Sequence, residues 1–591
     1  MTKQWCTTHA RKARAPERIP CSRYRLTWSL SLGFVLAYTY ALADLLARPL
    51  TSSDIPVPSP LVCAVPAAIP LGLLLAALLY AAARAAPSLL RRASTATPRA
   101  LRVLDLSFTP RGVARATGVI VLLWLPWIAF AFPCYGDWDS VWQLFQFATP
   151  APVSYQPMGI DQVYNAQFID HKPVFTTLVY GLFWRLGTFL GSQQLGFWLY
   201  AMLLCLATAA ALAVGCCYGE KLGVPAPIRL ACLLFVALMP AIPRNAVTLQ
   251  NDMLFAPCFA VYFLCYVEFF RARVQGRELP ARGYLVVLVL ACALCVLTKK
   301  AGGWLMLLSA VPLICACSGQ RVRTALVTLV PWVVCAVLVP ALAYPAFGVV
   351  PGGKQEMLSL PLQQVATVYA ERPDDLSAQE RASIEAVLPV REAAEDLNPT
   401  LADPVKKRFI QTATTGEIGA FLVTWAALGV RHPVIYAEAA LNLIYPLLAP
   451  VRTYDLPSLS CDFCVPEMAE FEGPANIVLD SPPFCKAMTQ VMNRMYDLMA
   501  SMPLGILFTS GLYGGWLVAA VTSLFIYKAR HHLWVLTPIL VSFLIILVSP
   551  TAAARYVYPF IAAVPLLVAV TLFAIKAPRE GEKEPPTPPK V

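Results

Sequence analysis

The chain has 591 residues, 58% of them hydrophobic and only 14% charged, with a mean hydropathy of +0.62. That composition excludes an ordinary soluble globular protein. The net charge of +12 points away from a nucleic-acid partner and toward a surplus of Lys and Arg on one face of a membrane, with membrane lipids as the surroundings.

Many apolar runs of about 17–25 residues can each cross a hydrocarbon core of roughly 30 Å. They predict an all-α polytopic integral membrane protein. Residues 1–25 carry Lys3, Arg11, Lys12, Arg14, Arg18, Arg23 and Arg25 against the single acid Glu17, a segment expected to stay cytoplasmic. Residues 26–115 then hold an uncleaved signal-anchor span at about Leu26–Leu46, a second span at about Leu61–Ala83, and a basic cytoplasmic linker from Arg84 to Arg115.

Residues 116–347 form the expected transmembrane core. Its first span, about Thr117–Pro133, delivers a polar outer loop (134–194). The run Val174–Leu190 is read as an amphipathic helix in the outer interface after the Lys172-Pro173 break, because a crossing there would strand a basic loop outside. Spans follow at about Leu195–Cys217, Leu230–Pro243, Met253–Phe270, Tyr284–Thr298, Gly302–Cys317 and Ala325–Phe347. Residues 348–503 are polar and acid-rich, and are expected to form a mostly helical extracytoplasmic domain in which Val434–Pro450 does not span. Three spans within 504–575, at about Leu504–Tyr527, Trp534–Val548 and Phe560–Ile575, precede a disordered cytoplasmic tail, 576–591. About twelve spans with both termini inside put every basic cluster on one side.

Of the 18 cysteines, most sit inside apolar runs as small buried hydrophobes. Cys461, Cys464 and Cys485 share the outer region, where an oxidising setting favours a disulfide between two of them. The five histidines lack zinc-ligand spacing. The stretch Gly348–Gln355 has the outline of a phosphate-binding loop, but no Ser or Thr follows its lysine and no clear helix follows it.

Candidate chemistry gathers at the outer ends of spans. Asp137 and Asp139 lie in G-D-W-D just past the third span, with Gln143 one turn beyond Asp139. They read either as solvated turn acids or as a general base that deprotonates an acceptor. Asp170, His171 and Lys172 open the interfacial helix and read as solvated charges or as acceptor-orienting groups. Asp252 stands at the outer mouth of a span, where nothing structural demands an acid. Arg244, Lys299, Lys300 and Arg555, the last followed by Tyr556, are cations at outer span ends, where positive charge is normally depleted. They read as snorkelling residues or as a binding site for the phosphate of a lipid-linked donor.

Taken in order, D-S-V-W-Q, D-H-K-P, Q-N-D-M-L-F, L-P-L-Q-Q-V-A, D-P-V-K and R-Y-V-Y-P resemble the GT-C superfamily of membrane glycosyltransferases. More specifically, they resemble an uncharacterised bacterial multi-spanning family grouped with it. The resemblance runs from about Pro133 to Leu567. It implies a GT-C-like core, with Asp139 as first-loop catalytic acid, Asp252 as second-loop acid, and Asp170 and His171 on the acceptor side. Asp-His-Lys-Pro stands where relatives often carry His-His-Pro, and Thr367 where an Arg is frequent. The expected activity is transfer of a sugar from a polyprenyl-phosphate donor to a glycan, lipid or protein acceptor outside a bacterial plasma membrane. A divalent cation, Mg or Mn, is left open as a cofactor. The competing expectations are a twelve-span transporter or flippase of lipid-linked glycans, with ionisable residues midway along its spans, and a carrier-binding relative without catalysis.

Overall fold

A computed structural model describes residues 21–47, 59–95, 104–136, 138–148, 167–448, 477 and 481–576. Asp137, Cys461, Cys464, most of the N-terminal basic segment and the C-terminal tail lie outside the described residues.

Helices dominate. The first part of the chain forms α1 (Cys21–Leu46), α2 (Pro60–Thr95), α3 (Pro110–Phe130), α4 (Trp138–Ala148), α5 (Val174–Phe189) and α6 (Gln193–Tyr218). The middle forms α7 (Ala226–Leu238), α8 (Ala241–Ala246), α9 (Asn251–Val274), α10 (Arg282–Thr298), α11 (Lys300–Ala316) and α12 (Arg321–Trp332), which continues as a π-helix over Val333–Ala343. A further helical unit follows, called the outer unit after the side on which the sequence pattern expects it: α13 (Ser359–Glu371), α14 (Ala378–Glu385), α15 (Val390–Glu395), α16 (Asp403–Lys406), α17 (Thr415–Arg431) and α18 (Pro433–Leu448). The last helices are α19 (Pro483–Ser501), α20 (Ser510–Ile526), α21 (Thr537–Ile546) and α22 (Tyr558–Lys576).

By length and composition, seven of the described helices can cross a membrane; five shorter apolar helices coincide with the remaining runs read as spans. Burial ranks them. The apolar window of α9 is 83% buried, that of α22 72% and that of α6 61%, whereas that of α2 is 22% buried. The first three are therefore the bundle's centre, and α9 stacks Phe255, Phe259 and Phe263 along one face. The hairpin α1–α2 closes on itself at the periphery. A Cβ on Gly33 would stand 2.6 Å from the Ala76 backbone nitrogen, so only glycine permits that approach.

The two ends of the bundle differ. At one end, Arg25 lies over Tyr527, whose hydroxyl donates to Ala83 O, and Lys221 reaches Tyr284. There Phe270 also meets His532 and Phe573. The Arg271–Arg282 loop, the Lys528–His532 cluster, the start of α1 and the ends of α2 and α22 thus share this basic end. One buried acid, Glu268, is held there bidentately by Arg271 (2.5 and 2.8 Å) and by the Tyr218 hydroxyl. The starts of α4, α9, α11 and α22 meet at the opposite end, about 36 Å away by the length of α9.

One difference from the sequence reading has a local cause. The run Leu230–Pro243 is not one helix: α7 stops at Leu238 before Pro240, whose missing N–H cannot continue the ladder, and α8 forms a separate turn beside the site. The segment Val434–Pro450 begins as α18, which meets α17 at a bend of 106°. Residues 358–436 have a hydrophobic core of their own, built on Leu362, Val365, Ile384, Leu388 and Phe421.

Candidate functional site

Strand structure is nearly absent among the described residues, yet two short parallel pairs set the site. Strand β1 (Tyr135–Gly136) pairs with β3 (Thr248–Leu249) in the register Tyr135 to Thr248 and Gly136 to Leu249. Each strand runs directly into a helix, α4 or α9, and each helix carries an acid in its first turn. Asp139 and Asp252 stand at the same offset from the paired residues Gly136 and Leu249. Parallel pairing therefore aims two helix N-termini, each favouring an anion, the same way.

Arg555, in the 3-10 turn Ala554–Val557, spans the two acids. Its Nη2 is 3.0 Å from Asp139 Oδ2 and its Nε 3.7 Å from Asp252 Oδ2. Lys172 lies 2.9 Å from Asp139 Oδ2, and Lys299 2.5 Å from Asp252 Oδ1. The result is an alternating row, Lys172–Asp139–Arg555–Asp252–Lys299. Asp252 is the most enclosed member, with 4% of its side chain exposed, and Lys172 the least, at 25%. The Tyr556 ring supports Lys299 and Arg555 at 5.3 and 5.6 Å, a cation–π arrangement that holds both without neutralising them.

Burial alone would push the Asp139 carboxyl up. Lys172 and Arg555, with the Lys172 hydrogen bond, outweigh it and hold the group well below the usual carboxylate range. Burial pulls the Lys172 ammonium down, and Asp139 more than reverses that.

A second pair, β2 (Ile169–Asp170) with β4 (Val350–Pro351), brings the outer unit against the first loop. A Cβ on Gly352 would stand 2.6 Å from Asp170 O. Gly352 in Gly348–Gln355 therefore serves close backbone approach. Lys300 diverges from its neighbour Lys299 and binds Asp170, at 3.0 Å from Oδ2 and through the backbone oxygen. Burial raises the Asp170 carboxyl, and Lys300 offsets this only in part. His171 Nδ1 is 4.0 Å from Glu356, which Lys406 joins at 3.0 Å, and Lys406 also meets Asp403 at 2.7 Å. Glu356 and Lys406 are site neighbours that the sequence reading missed, although Lys406 lies in the D-P-V-K motif.

Gln143 has a positioning role. Its amide nitrogen donates to Pro173 O and to the Thr176 and Thr177 hydroxyls at 2.6–3.2 Å, tying α4 to the start of α5. Gln363 and Gln364 are likewise scaffold, bonded to Asn398 O and Tyr436 O. Arg244 is buried against the Tyr496 ring at 5.3 Å and acts electrostatically on Tyr135. Cys485 is a free thiol; the other two disulfide candidates lie outside the described residues.

Burial, then Lys172, push the His171 imidazole down to about 4 against the opposing pull of Glu356 and Asp139. An unfolded histidine titrates near about 6.5. Between these values the unfolded chain binds a proton that the folded chain refuses, so this component of stability falls as pH drops from about 6.5 to about 4, then levels off. With the side chain 30% exposed, water softens the effect. Chemical-denaturation midpoints measured from pH 7 to pH 4 should decline more steeply for the wild type than for His171→Gln. Parallel curves would show that His171 is not the group responsible.

Three cations surround the two carboxylates, and no three His, Cys, Asp or Glu side chains converge as a ligand set among the described residues. Both carboxylates are occupied by cations, so a divalent ion such as Mg or Mn would have to displace a lysine or Arg555 to reach them.

The profile of a family described as a family of unknown function (DUF6020) matches residues 163–585, more than half of the chain, and the chain belongs to that family. The matched region holds Lys172, Asp252, Lys299 and Arg555, while Asp139 precedes it. No curated protein and no solved structure matched the chain.

Proposed function

We propose that this DUF6020 member is a GT-C-type membrane glycosyltransferase. It takes a sugar from a polyprenyl-phosphate donor and passes it to a glycan, lipid or protein acceptor on the outer side of the plasma membrane. The observation that carries the reading is the row Lys172–Asp139–Arg555–Asp252–Lys299, built at the bundle end opposite the basic clusters. Lys and Arg gather on the cytoplasmic side of membrane proteins, so the acid-bearing end faces out. The seven long and five shorter apolar helices are then twelve spans with both termini inside.

In this reading the acceptor oxygen attacks the anomeric carbon, the carbon–oxygen bond to phosphate breaks, and its electron pair leaves with the phosphate. Lys299 and Arg555 meet the charge that develops on the leaving group. The acceptor proton goes to Asp139. Clamped between Lys172 and Arg555, that carboxylate is a weak base. A donor phosphate that draws Arg555 toward itself removes one counter-charge and raises the basicity of Asp139 as substrate arrives. Asp170, paired with Lys300, and His171, neutral at physiological pH, orient the acceptor.

The test is transfer from a radiolabelled polyprenyl-phosphate sugar pool in membranes containing the protein, scored per folded molecule. Release of polyprenyl phosphate with label appearing in acceptor supports the reading. Tight carrier binding without transfer would replace it with a carrier-binding protein, and label crossing the bilayer still attached to lipid would replace it with a flippase.

A further inference from the structure

Helix α17 presents two different faces. One packs Phe421 and Leu428 into the core of the outer unit, with Ile418, Leu422 and Trp425 alongside, and a capping box between Thr414 and Glu417 fixes its start. The other face, formed by Gly419, Ala420, Val423, Ala426, Ala427 and Val430, is exposed. Val423 is 73% and Val430 85% accessible. No acid or base interrupts it between Glu417 and Arg431. A helix wet on that side would carry charged and polar residues there.

What covers this face follows from the next helix. Together α17 and α18 are apolar enough for a span, although bent by 106°. Leu441 of α18 packs on Ala41, Leu42 and Ala64, and Tyr445 on Ala43. These residues belong to the last turns of α1 and the first turns of α2, at the site end. The outward faces of the same two helices are themselves apolar and exposed, with Val35 at 56% and Val62 at 63%. The bare face of α17 is thus joined, through α18, to a surface that meets acyl chains. We propose that α17 is seated in the lipid leaflet at the site end, its Gly419–Val430 face among the acyl chains. It anchors the outer unit so that Glu356 and Lys406 are held against His171. The inference needs the bundle to sit in a bilayer and is independent of sugar transfer.

The experiment uses the full chain in phosphatidylcholine bilayers, with a fluorescent amino acid placed at Val423, at Val430, or at Arg391 as the water-facing reference, whose side chain is 78% exposed. All three side chains are exposed, so the replacements remove little packing. Lipids brominated on their chains should quench emission at positions 423 and 430 while aqueous iodide leaves it unchanged, and position 391 should behave in the opposite way. Iodide quenching at 423 and 430 comparable to that at 391 would overturn the proposal by showing a wet face. Protection from both quenchers would overturn it equally, by showing that protein, such as a second copy of the chain, covers the helix.

Discussion

Asp139→Asn should lower sugar transfer by about 10²–10⁴-fold, the usual contribution of a positioned general base, while donor binding is largely kept. Asparagine retains the size of the side chain and an oxygen that accepts from Lys172, but it takes no proton. It also removes the charge that Lys172 and Arg555 are arranged around. A loss of stability accompanies it, present at neutral pH because the carboxyl is held well below its ordinary value and vanishing only when acid protonates the wild type as well. Activity must therefore be scored per folded protein. Full transfer by Asp139→Asn would remove Asp139 as the base; if Asp137→Asn were then inactive, the loop would be right and the residue wrong.

Arg555→Ala is the second large effect, and it acts on binding as well as turnover. Arg555 is the one described side chain that contacts both carboxylates of the row. Removing one member of a buried ion pair costs about 3–5 kcal/mol when its partner is left bare. Here each carboxylate keeps a lysine and Arg555 is 23% exposed, so the loss should fall below that range. On the proposed function donor affinity should drop, because an arginine fork is the side chain best shaped to hold a lipid phosphate. Arg555→Lys should restore stability better than affinity, since an ammonium keeps the charge but cannot reach two carboxylates at once. Asp139→Asn and Arg555→Ala combined should cost less than the sum of the two, as expected for groups in direct contact. Strict additivity, read from unfolding and donor-binding titrations, would show that the pair is not coupled.

Residue type and pattern determine the helices and the polarity of the bundle. Runs such as Met253–Phe270 must be helical if they are to satisfy their backbone in lipid. Asp139, Asp252, Lys299 and Arg555 announce themselves as charges at the ends of apolar runs, a position readable along a single chain. Tertiary structure alone decided their partners. Lys299 and Lys300 are adjacent, yet Lys299 is an extended residue between α10 and α11 and Lys300 the first residue of α11, so they diverge to Asp252 and Asp170. The β1–β3 register puts Asp139 and Asp252 level, and nothing in either loop specifies it. Glu356 and Lys406 enter only because Gly352 lets one backbone lie on another. Local sequence determines conformation and charge through interactions within a turn or two of helix, whereas ion pairing falls off within a few ångströms and joins whichever groups packing brings into reach.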